Sequence, residues 1–334
     1  MTRVAVLGAG SWGTALAKHL ADKGHETSLW ARRAELVDAM RATQRNERYL
    51  PGIALPERLV PTASLADALR AAELVLVVVP SHGLRELVRE AKPLIPSDAA
   101  IVTATKGIEN GTLMLMTDVL SDELGAGIKP RLCALGGPSF AREVALSMPT
   151  AVSVASENDA TAVHVQALFA SDRFRVYTTE DIVGVELGGA LKNVIAIAAG
   201  AAEGLGFGFN ARAGLITRGI AEIARLAVHM GAHPQTLAGL SGLGDLVLTC
   251  TGDLSRNRRV GLELGRGRSL HDVLADMTMV AEGVKTAASA HALAEREGVD
   301  MPIAAEVYRA LYEGKAPAAA VESLLTRALR AERD

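Results

Sequence analysis

Cysteine is almost absent from this 334-residue sequence, which contains only Cys133 and Cys250. The two are far apart in the chain and show no C-x-x-C spacing, so we expect reduced thiols and neither a disulfide bond nor a zinc site. An excess of positive charge is also missing, since the formal net charge is −3. This balance gives no reason to expect a nucleic acid as partner, although a local basic patch can still bind a small anion.

From its first residues and its apolar runs we expect this sequence to have neither a secretory leader nor a membrane-spanning segment. The first residues, MTRVAVLGAGSWG, pass directly into a strand pattern and a glycine turn, without the apolar segment of a signal peptide. Apolar runs such as LVLVVVP at 74–80 have the length of a buried strand and are too short to cross a bilayer. We therefore expect a cytoplasmic protein with no stable membrane insertion.

The composition, 49% hydrophobic and 22% charged, is that of a soluble globular protein long enough for two domains. From residue 3 to about residue 187, short valine-rich runs alternate with amphipathic segments, which predicts an α/β fold with a doubly wound parallel sheet. The predicted strands are 4–7, 27–30, 74–79, 100–105, 131–135 and 151–155, and the clearest helices are 13–23, 33–43 and 83–92. Beyond residue 179 the amino-acid composition changes to long runs rich in Ala, Leu, Glu and Arg. We predict a Rossmann-type domain at 1–180 and an all-helical domain at 181–334.

A glycine turn follows the first predicted strand and opens the first predicted helix. Gly8, Gly10 and Gly13 have the G-x-G-x-x-G spacing. In a dinucleotide site the first glycine permits the tight turn, the second lets the pyrophosphate approach the backbone, and the third lets helix and strand pack closely. The helix N-terminus attracts the phosphates. The alternative is a glycine-rich turn that binds nothing.

The end of the second strand lacks the carboxylate that NAD-preferring sites place near the ribose 2′-hydroxyl. Arg32 and Arg33 stand there instead. Arginine attracts a 2′-phosphate, so the sequence predicts NADP(H) with some tolerance for NAD(H). The alternative is that both arginines are solvated residues at the start of a helix.

A lysine lies inside the small, apolar stretch VELGGALKNVIAIAAGAAEG at 185–204. In a helix the neighbours of Lys192 at three and four residues are Gly188, Gly189, Ile195 and Ala196, and none of them carries a charge. Considered alone, this stretch favours a lysine whose stem lies on apolar surface while its head reaches water. The functional alternative is a lysine held in a partly desolvated pocket, which lowers its pKa and suits it to donate a proton to a carbonyl oxygen.

Two loops at the predicted carboxyl edge of the sheet offer polar groups. IVTATKGIENG places Lys106 just beyond one strand, and LGGPSFARE supplies Gly137 and Ser139 after the next. Ligands of open α/β sheets bind at this edge. Each loop taken alone is also compatible with an ordinary connection between a strand and a helix that binds no ligand.

The helical half contributes LSGLGDLVLTCTGDLSRNRRVG. Asp245 lies among glycines and apolar residues, an unusual place for a carboxylate unless it is paired. Ser255 is a candidate N-cap, and donors and positive charge gather around that helix start on Arg256, Asn257, Arg258 and Arg259, as an anion site requires. A solvated basic helix end is the alternative, and the dinucleotide turn in the same chain favours phosphate.

The sequence resembles the bacterial NAD(P)-dependent glycerol-3-phosphate dehydrogenases over essentially its whole length. The matching blocks are GAGSWGTALA, VVVPSH, TKGIE, GGPSFAREV, ELGGALKNVIAIAAG, GLGDLVLTCTGDLSRNRRVG and VAEGVKTA. The first glycine of GGPSFAREV, Gly136, departs from the family's usual residue, and we do not expect this to alter the chemistry. The resemblance implies a homodimer that interconverts dihydroxyacetone phosphate and sn-glycerol 3-phosphate, the precursor of glycerophospholipids.

The resemblance also implies residue roles. Lys192 matches the family's proton donor or acceptor, with hydride moving between the nicotinamide and C2 of the triose phosphate. Positions matching the substrate-binding residues are Lys106, Gly137, Ser139, Lys192, Asp245, Ser255, Arg256 and Asn257. Besides the three glycines of the turn, positions matching the cofactor-binding residues are Ser11, Trp12, Arg32, Arg33, Tyr49, Lys106, Ala141, Arg256, Val280 and Glu282.

Three other interpretations remain open at the level of sequence. A related dehydrogenase acting on a β-hydroxy acid requires a carboxylate-binding motif in place of the Ser-Arg-Asn cluster. A non-catalytic NADPH-binding sensor has no need of Lys192 or Asp245. His229 and His233 have the i,i+4 spacing that metal ligands use, but Pro234 indicates a helix end and the carboxylate of an H-E-x-x-H motif does not lie between them, so we expect no metal site.

Overall fold

A computed structural model describes residues 1–277, 279–329 and 331–332. Its centre is one eight-stranded sheet with the order β3-β2-β1-β4-β5-β6-β7-β8. The strands are β1 (Arg3–Leu7), β2 (Glu26–Trp30), β3 (Leu59–Thr62), β4 (Leu74–Val77), β5 (Ala100–Thr103), β6 (Leu132–Gly136), β7 (Thr150–Ala155) and β8 (Phe174–Thr179). The order steps from β1 to β2 and β3 on one side and to β4 on the other, which is the doubly wound arrangement.

Strands β1 to β6 are parallel, as predicted, and β7 pairs with β6 in the antiparallel sense. All six predicted strands exist, with ends within two residues of their predicted positions. The prediction missed β3 and β8, the two edges of the sheet. Pro61 interrupts β3, and Arg175 and Tyr177 on β8 face solvent, so neither strand has the continuous apolar run of a central strand.

Helices cover both faces of the sheet and leave a separate core on each. One core includes Leu16, Met40 and Phe169, and the other includes Leu84 and Val119. The helices of this region are α1 (Ser11–Asp22), α2 (Ala34–Thr43), α3 (Leu65–Leu69), α4 (Leu84–Ala91), α5 (Met116–Leu124), α6 (Ala141–Ala145) and α7 (Asp159–Phe169). The predicted helices correspond to α1, α2 and α4.

From residue 182 onward the regular structure of the described residues is helical, as predicted. The helices are α8 (Ile182–Gly204), α9 (Phe209–His229), α10 (Pro234–Ala238), α11 (Asp245–Thr251), α12 (Arg256–Gly265), α13 (Leu270–Ala275), α14 (Glu282–Glu297), α15 (Pro302–Tyr312) and α16 (Pro317–Leu325). A single turn of π-helix, Leu240–Gly244, precedes α11.

Helix α8 is the centre of the helical region. Its 23 residues make it long and apolar enough to cross a membrane. The expectation that the apolar runs are too short to cross a bilayer was therefore wrong for this segment. Of its most apolar window, 83% is buried inside the protein, which identifies α8 as a core helix. Asp181 caps its first turn by accepting a hydrogen bond from the Gly184 N–H.

Candidate active site

Two lysines share one buried carboxylate where α8 and α11 meet the carboxyl edge of the sheet. Lys192 Nζ, on α8, donates to Asp245 Oδ1 at the start of α11. Lys106 Nζ, from the loop after β5, donates to Asp245 Oδ2 at 2.7 Å. Asp245 is 1% exposed and the Lys192 side chain 8% exposed. Residues from three distant parts of the chain therefore form one cluster with two positive charges and one negative charge.

The interpretation of Lys192 as a lysine reaching water is wrong for this structure, because its ammonium ends on Asp245 and on Thr249 Oγ1 at 2.7 Å. Burial lowers its pKa to about 8, and the nearby Lys106 charge acts in the same direction, while Asp245 opposes both. Desolvation therefore outweighs the carboxylate. The result is an ammonium group that carries a proton at neutral pH and can release it.

Thr249 is a site residue that the sequence analysis missed. Its hydroxyl accepts from Lys192 and donates to the backbone carbonyl of Asp245 at 2.6 Å, so it provides the second hydrogen bond that orients the ammonium. It lies one helical turn after Asp245 and therefore on the same face of α11. That i,i+4 spacing is the signal that could have identified it.

The glycines before Lys192 serve close packing. A Cβ atom at Gly188 would lie 2.4 Å from the Ser241 carbonyl oxygen, so α8 and the π-helical turn approach through that position. A Cβ at Gly189 would lie 3.7 Å from the aliphatic stem of Lys106. Gly188 therefore lets the π-helical turn before Asp245 approach α8 closely, whereas a methyl group at Gly189 would make only an ordinary van der Waals contact with Lys106.

The loop after β6 presents its backbone to the same cluster. Gly137 has φ of 128°, a conformation that favours glycine, and a Cβ there would lie 3.0 Å from Val152 Cα. Its carbonyl oxygen accepts from Lys106 Nζ at 3.4 Å and from Ser139 Oγ at 3.0 Å. The structure therefore brings Lys106, Gly137 and Ser139 together, as predicted.

The predicted anion cluster is the start of α12. The Ser255 hydroxyl caps this helix by accepting from the Arg258 N–H at 3.2 Å, which confirms the N-cap. Arg256 is exposed and donates to the Val280 carbonyl oxygen at 2.8 Å. Asn257 is buried, donates to Asn193 Oδ1 and accepts from the Gly283 N–H, each at 2.9 Å. The side chain of Asn257 thereby joins α8, α12 and the start of α14.

The glycine turn fits a dinucleotide. A Cβ at Gly8 would lie 2.2 Å from the Val78 carbonyl oxygen, and one at Gly13 would lie 1.9 Å from the Gly8 carbonyl oxygen, so both positions exclude side chains. Around Gly10 there is open space, as the approach of a pyrophosphate requires. The indole Nε1 of Trp12 is buried without a hydrogen-bond partner. An unpaired donor beside an open helix N-terminus suits an anionic ligand.

The two arginines after β2 point to different neighbours. Arg33 donates to the hydroxyl of Tyr49, which brings two of the predicted cofactor residues together. Arg32 lies near His82, where its charge, with that of Lys285, adds to the burial that lowers the pKa of the imidazole. Both arginines are exposed, at the strand end where the adenosine ribose of a dinucleotide binds.

The remaining predicted cofactor residues lie around the mouth of this region. Ser11 Oγ contacts Met279 Sδ at 2.9 Å, one residue before Val280. Glu282, at the start of α14, accepts from Ser81 Oγ at 3.1 Å. Ala141 begins α6 and packs against the core beneath the glycine turn.

The two histidines considered as metal ligands lie on different elements. His229 is the last residue of α9 and His233 precedes α10. Their ring nitrogens lie 3.5 Å from Glu297 and 3.8 Å from Glu180, respectively. In residues 1–277, 279–329 and 331–332, no group of three or more His, Cys, Asp or Glu side chains could hold a metal ion.

A Rossmann-type sheet whose glycine turn has the shape of a dinucleotide site, with a buried, ionisable lysine at its carboxyl edge, is the architecture of an NAD(P)-dependent dehydrogenase. Models of the two halves of the NAD-dependent glycerol-3-phosphate dehydrogenase family match residues 3–162 and 181–322. The chain belongs to this family.

Curated relatives and solved structures agree with that assignment. The chain is 56% identical to a glycerol-3-phosphate dehydrogenase (NAD(P)+) of Citrifermentans bemidjiense over 330 residues, covering 99% of this chain and 98% of that one. It is 54% identical to the enzyme of the same name from Myxococcus xanthus, with the same coverage. The crystal structure of glycerol-3-phosphate dehydrogenase from Coxiella burnetii has a TM-score of 0.93 at 43% identity, covering 98% of this chain and 99% of that one.

Proposed function

We propose that this chain catalyses the NAD(P)H-dependent interconversion of dihydroxyacetone phosphate and sn-glycerol 3-phosphate. The observation that carries the proposal is the buried cluster of Lys192, Asp245 and Lys106 at the carboxyl edge of the sheet. Reduction of a ketone needs a proton at oxygen, and this cluster holds one on a lysine whose pKa is about 8.

The cofactor would lie along the carboxyl edge, with its pyrophosphate over Gly10 and Ser11 and its adenosine ribose near Arg32 and Arg33. When bound, the nicotinamide supplies or accepts the hydride. Trp12 offers its unpaired indole N–H beside the turn. The two arginines support a preference for NADP(H), because a guanidinium pairs with a 2′-phosphate.

Lys192 would donate its proton to the oxygen of the substrate carbonyl and recover it in the reverse reaction. Asp245 and Thr249 hold the ammonium by two hydrogen bonds and so fix its direction. Lys106 adds a second positive charge on the other oxygen of Asp245. This charge stabilises negative charge that develops on the substrate oxygen.

The substrate phosphate would lie against Ser255, Arg256 and Asn257. Among the described residues Arg256 donates one hydrogen bond, to the Val280 carbonyl oxygen, and the charge of Glu282 lies nearby, so its guanidinium still has donors left for an anion. Binding the phosphate, which does not react, orients the carbonyl toward Lys192. Loss of Arg256 is therefore expected to raise KM and lower kcat with dihydroxyacetone phosphate.

We propose the division into domains at 1–180 and 181–334, with a substrate and cofactor cleft between them.

We also propose that the protein assembles as a homodimer, is located in the cytoplasm and supplies sn-glycerol 3-phosphate for glycerophospholipid synthesis. Light scattering of the purified protein measures the assembly state directly, and a mass of 34.9 kDa would refute the dimer.

Initial rates of NADPH oxidation test the activity. The substrates are dihydroxyacetone phosphate, unphosphorylated dihydroxyacetone and 6-phosphogluconate, each with the wild type, Lys192→Ala and the exposed control Lys129→Ala. We expect rapid oxidation with the triose phosphate alone and a loss of kcat of about 100- to 10,000-fold in Lys192→Ala. Comparable turnover in that variant would refute the role of Lys192. Tight NADPH binding without oxidation of any substrate would favour a sensor.

A further inference from the structure

The turn that carries Tyr49 is anchored to the glycine turn. Asn46 is fully buried and donates from Nδ2 to the Ala9 carbonyl oxygen at 3.0 Å and to Thr14 Oγ1 at 2.8 Å. The backbone N–H of Leu50 returns to the Asn46 carbonyl oxygen at 2.8 Å. Residues 46–50 therefore form a fixed turn beside the dinucleotide site.

This turn brings a third arginine to the adenosine end. The guanidinium carbon of Arg48 lies 5.7 Å from the centroid of the Tyr49 ring, and that of Arg33 lies 5.8 Å from the same centroid. Both are within cation–π distance of one aromatic ring. Two like charges thus lie around one aromatic ring.

These two charges are not neutralised by the protein. Within the described part of the chain, neither Arg33 nor Arg48 forms an ion pair, whereas Arg45 on the same surface pairs with Glu47 at 3.6 Å. Two unpaired guanidinium groups around one tyrosine ring raise the local positive potential, and a phosphate dianion bound beside the ring would lower it. The second strand of a Rossmann sheet ends where a ribose 2′-phosphate lies.

We infer that Arg48 is a specificity-determining residue that binds the 2′-phosphate of NADP(H), together with Arg33 and the hydroxyl of Tyr49. This inference rests on the NADP(H) preference proposed above. Arg48 acts on the phosphate alone, so its loss should affect ligands that carry a 2′-phosphate and spare those that lack it.

Calorimetric titration with 2′,5′-ADP and with 5′-AMP isolates the contribution of the 2′-phosphate, because these ligands differ in that group. The proteins are the wild type, Arg48→Ala and Arg45→Ala, whose arginine is exposed immediately before the same turn. We expect Arg48→Ala to weaken 2′,5′-ADP binding roughly threefold to tenfold, as for loss of one exposed charge-assisted hydrogen bond. We expect 5′-AMP to bind all three proteins alike and the difference to shrink as salt is added.

The outcomes separate the inference from the proposed function. A wild type that binds the two ligands equally would refute the NADP(H) preference and the role of Arg48 with it. A wild type that discriminates while Arg48→Ala discriminates equally well would refute the role of Arg48 alone. Equal weakening of both ligands in Arg48→Ala would show that the arginine stabilises the turn, which also overturns the inference.

Discussion

Replacing Asp245 by asparagine tests the arrangement around Lys192 most directly, because the change removes a charge and keeps the shape of the side chain. In the wild type, burial lowers the pKa of Lys192 to about 8 even though Asp245 opposes the shift. An opposite charge at this range changes a pKa by about one to three units. We therefore expect the pKa of Lys192 in Asp245→Asn to lie at roughly 5–7.

This shift predicts the size of the loss in rate. At pH 7.5, a group with a pKa near 8 is roughly three-quarters protonated, whereas one with a pKa near 6 is roughly 3% protonated. If the ammonium of Lys192 is the proton donor, the kcat for ketone reduction should fall about 25-fold at pH 7.5. Much of the activity should return near pH 5.5, where the variant lysine again carries its proton.

The assay is the dependence of kcat on pH from 5 to 9 with saturating NADPH and dihydroxyacetone phosphate. Asp253→Asn is the matched control, because Asp253 pairs with Arg258 at 3.1 Å and its side chain is 95% exposed. The control should keep the wild-type profile. Circular dichroism of Asp245→Asn checks folding, since removing one partner of a buried pair costs about 3–5 kcal/mol. A pKa near 8 retained in Asp245→Asn, or an equal loss at every pH, would refute the electrostatic reasoning.

Three further predictions concern the wild type and the packing of helices. In the proposed mechanism, reduction needs the Lys192 ammonium and oxidation needs the neutral amine. As pH rises through about 8, the initial rate of reduction should therefore fall and that of oxidation should rise. Parallel changes in the two rates would exclude Lys192 as the titrating group. Gly261→Ala would place a Cβ 1.9 Å from the Ile197 carbonyl oxygen and should lower the free energy of unfolding in urea by about 1–3 kcal/mol, whereas Gly214→Ala, on open surface of α9, should raise it by about 0.5–1 kcal/mol. Burial raises the pKa of Glu222 to about 7, above its unfolded value, so its contribution to stability is present at low pH and is lost as pH rises through 7. Glu222→Gln should therefore flatten the decrease in unfolding free energy between pH 5 and 8, and an unchanged slope would contradict this.

Local patterns predicted the interior of the sheet and missed its edges. The central strands are continuous valine-rich runs because helices bury both of their faces. Strand β3 contains Pro61 and β8 alternates between buried and exposed residues, so neither shows that run. The reversal of β7 against β6 also lay beyond prediction, since an apolar run has the same pattern in either direction.

The sequence predicted those site residues whose neighbours are unusual for a charged side chain. Lys192 among glycines and Asp245 among apolar residues were each out of place, and the structure joins them. Their separation of 53 residues exceeds any helical period, so local spacing could not pair them. The anchoring of Asn46 beneath the glycine turn was missed for the same reason, because its partners lie 32 and 37 residues away.

The carboxylate of Asp245, shared by two lysines, opposes the effect of burial on the pKa of Lys192. A lysine taken out of water without a counter-charge would lose its proton at neutral pH, and a lysine paired in water would hold it too tightly to donate readily. Burial and the neighbouring charge of Lys106 lower the pKa of Lys192, while Asp245 limits the fall to about 8. If the proton passes from Lys192 to a substrate oxygen, as proposed, Lys106 and Asp245 would remain as a neutral pair. The cluster would therefore begin the reduction with one excess positive charge and end it with none. The excess charge would stabilise negative charge that develops on the substrate oxygen, and its loss would weaken binding of the product.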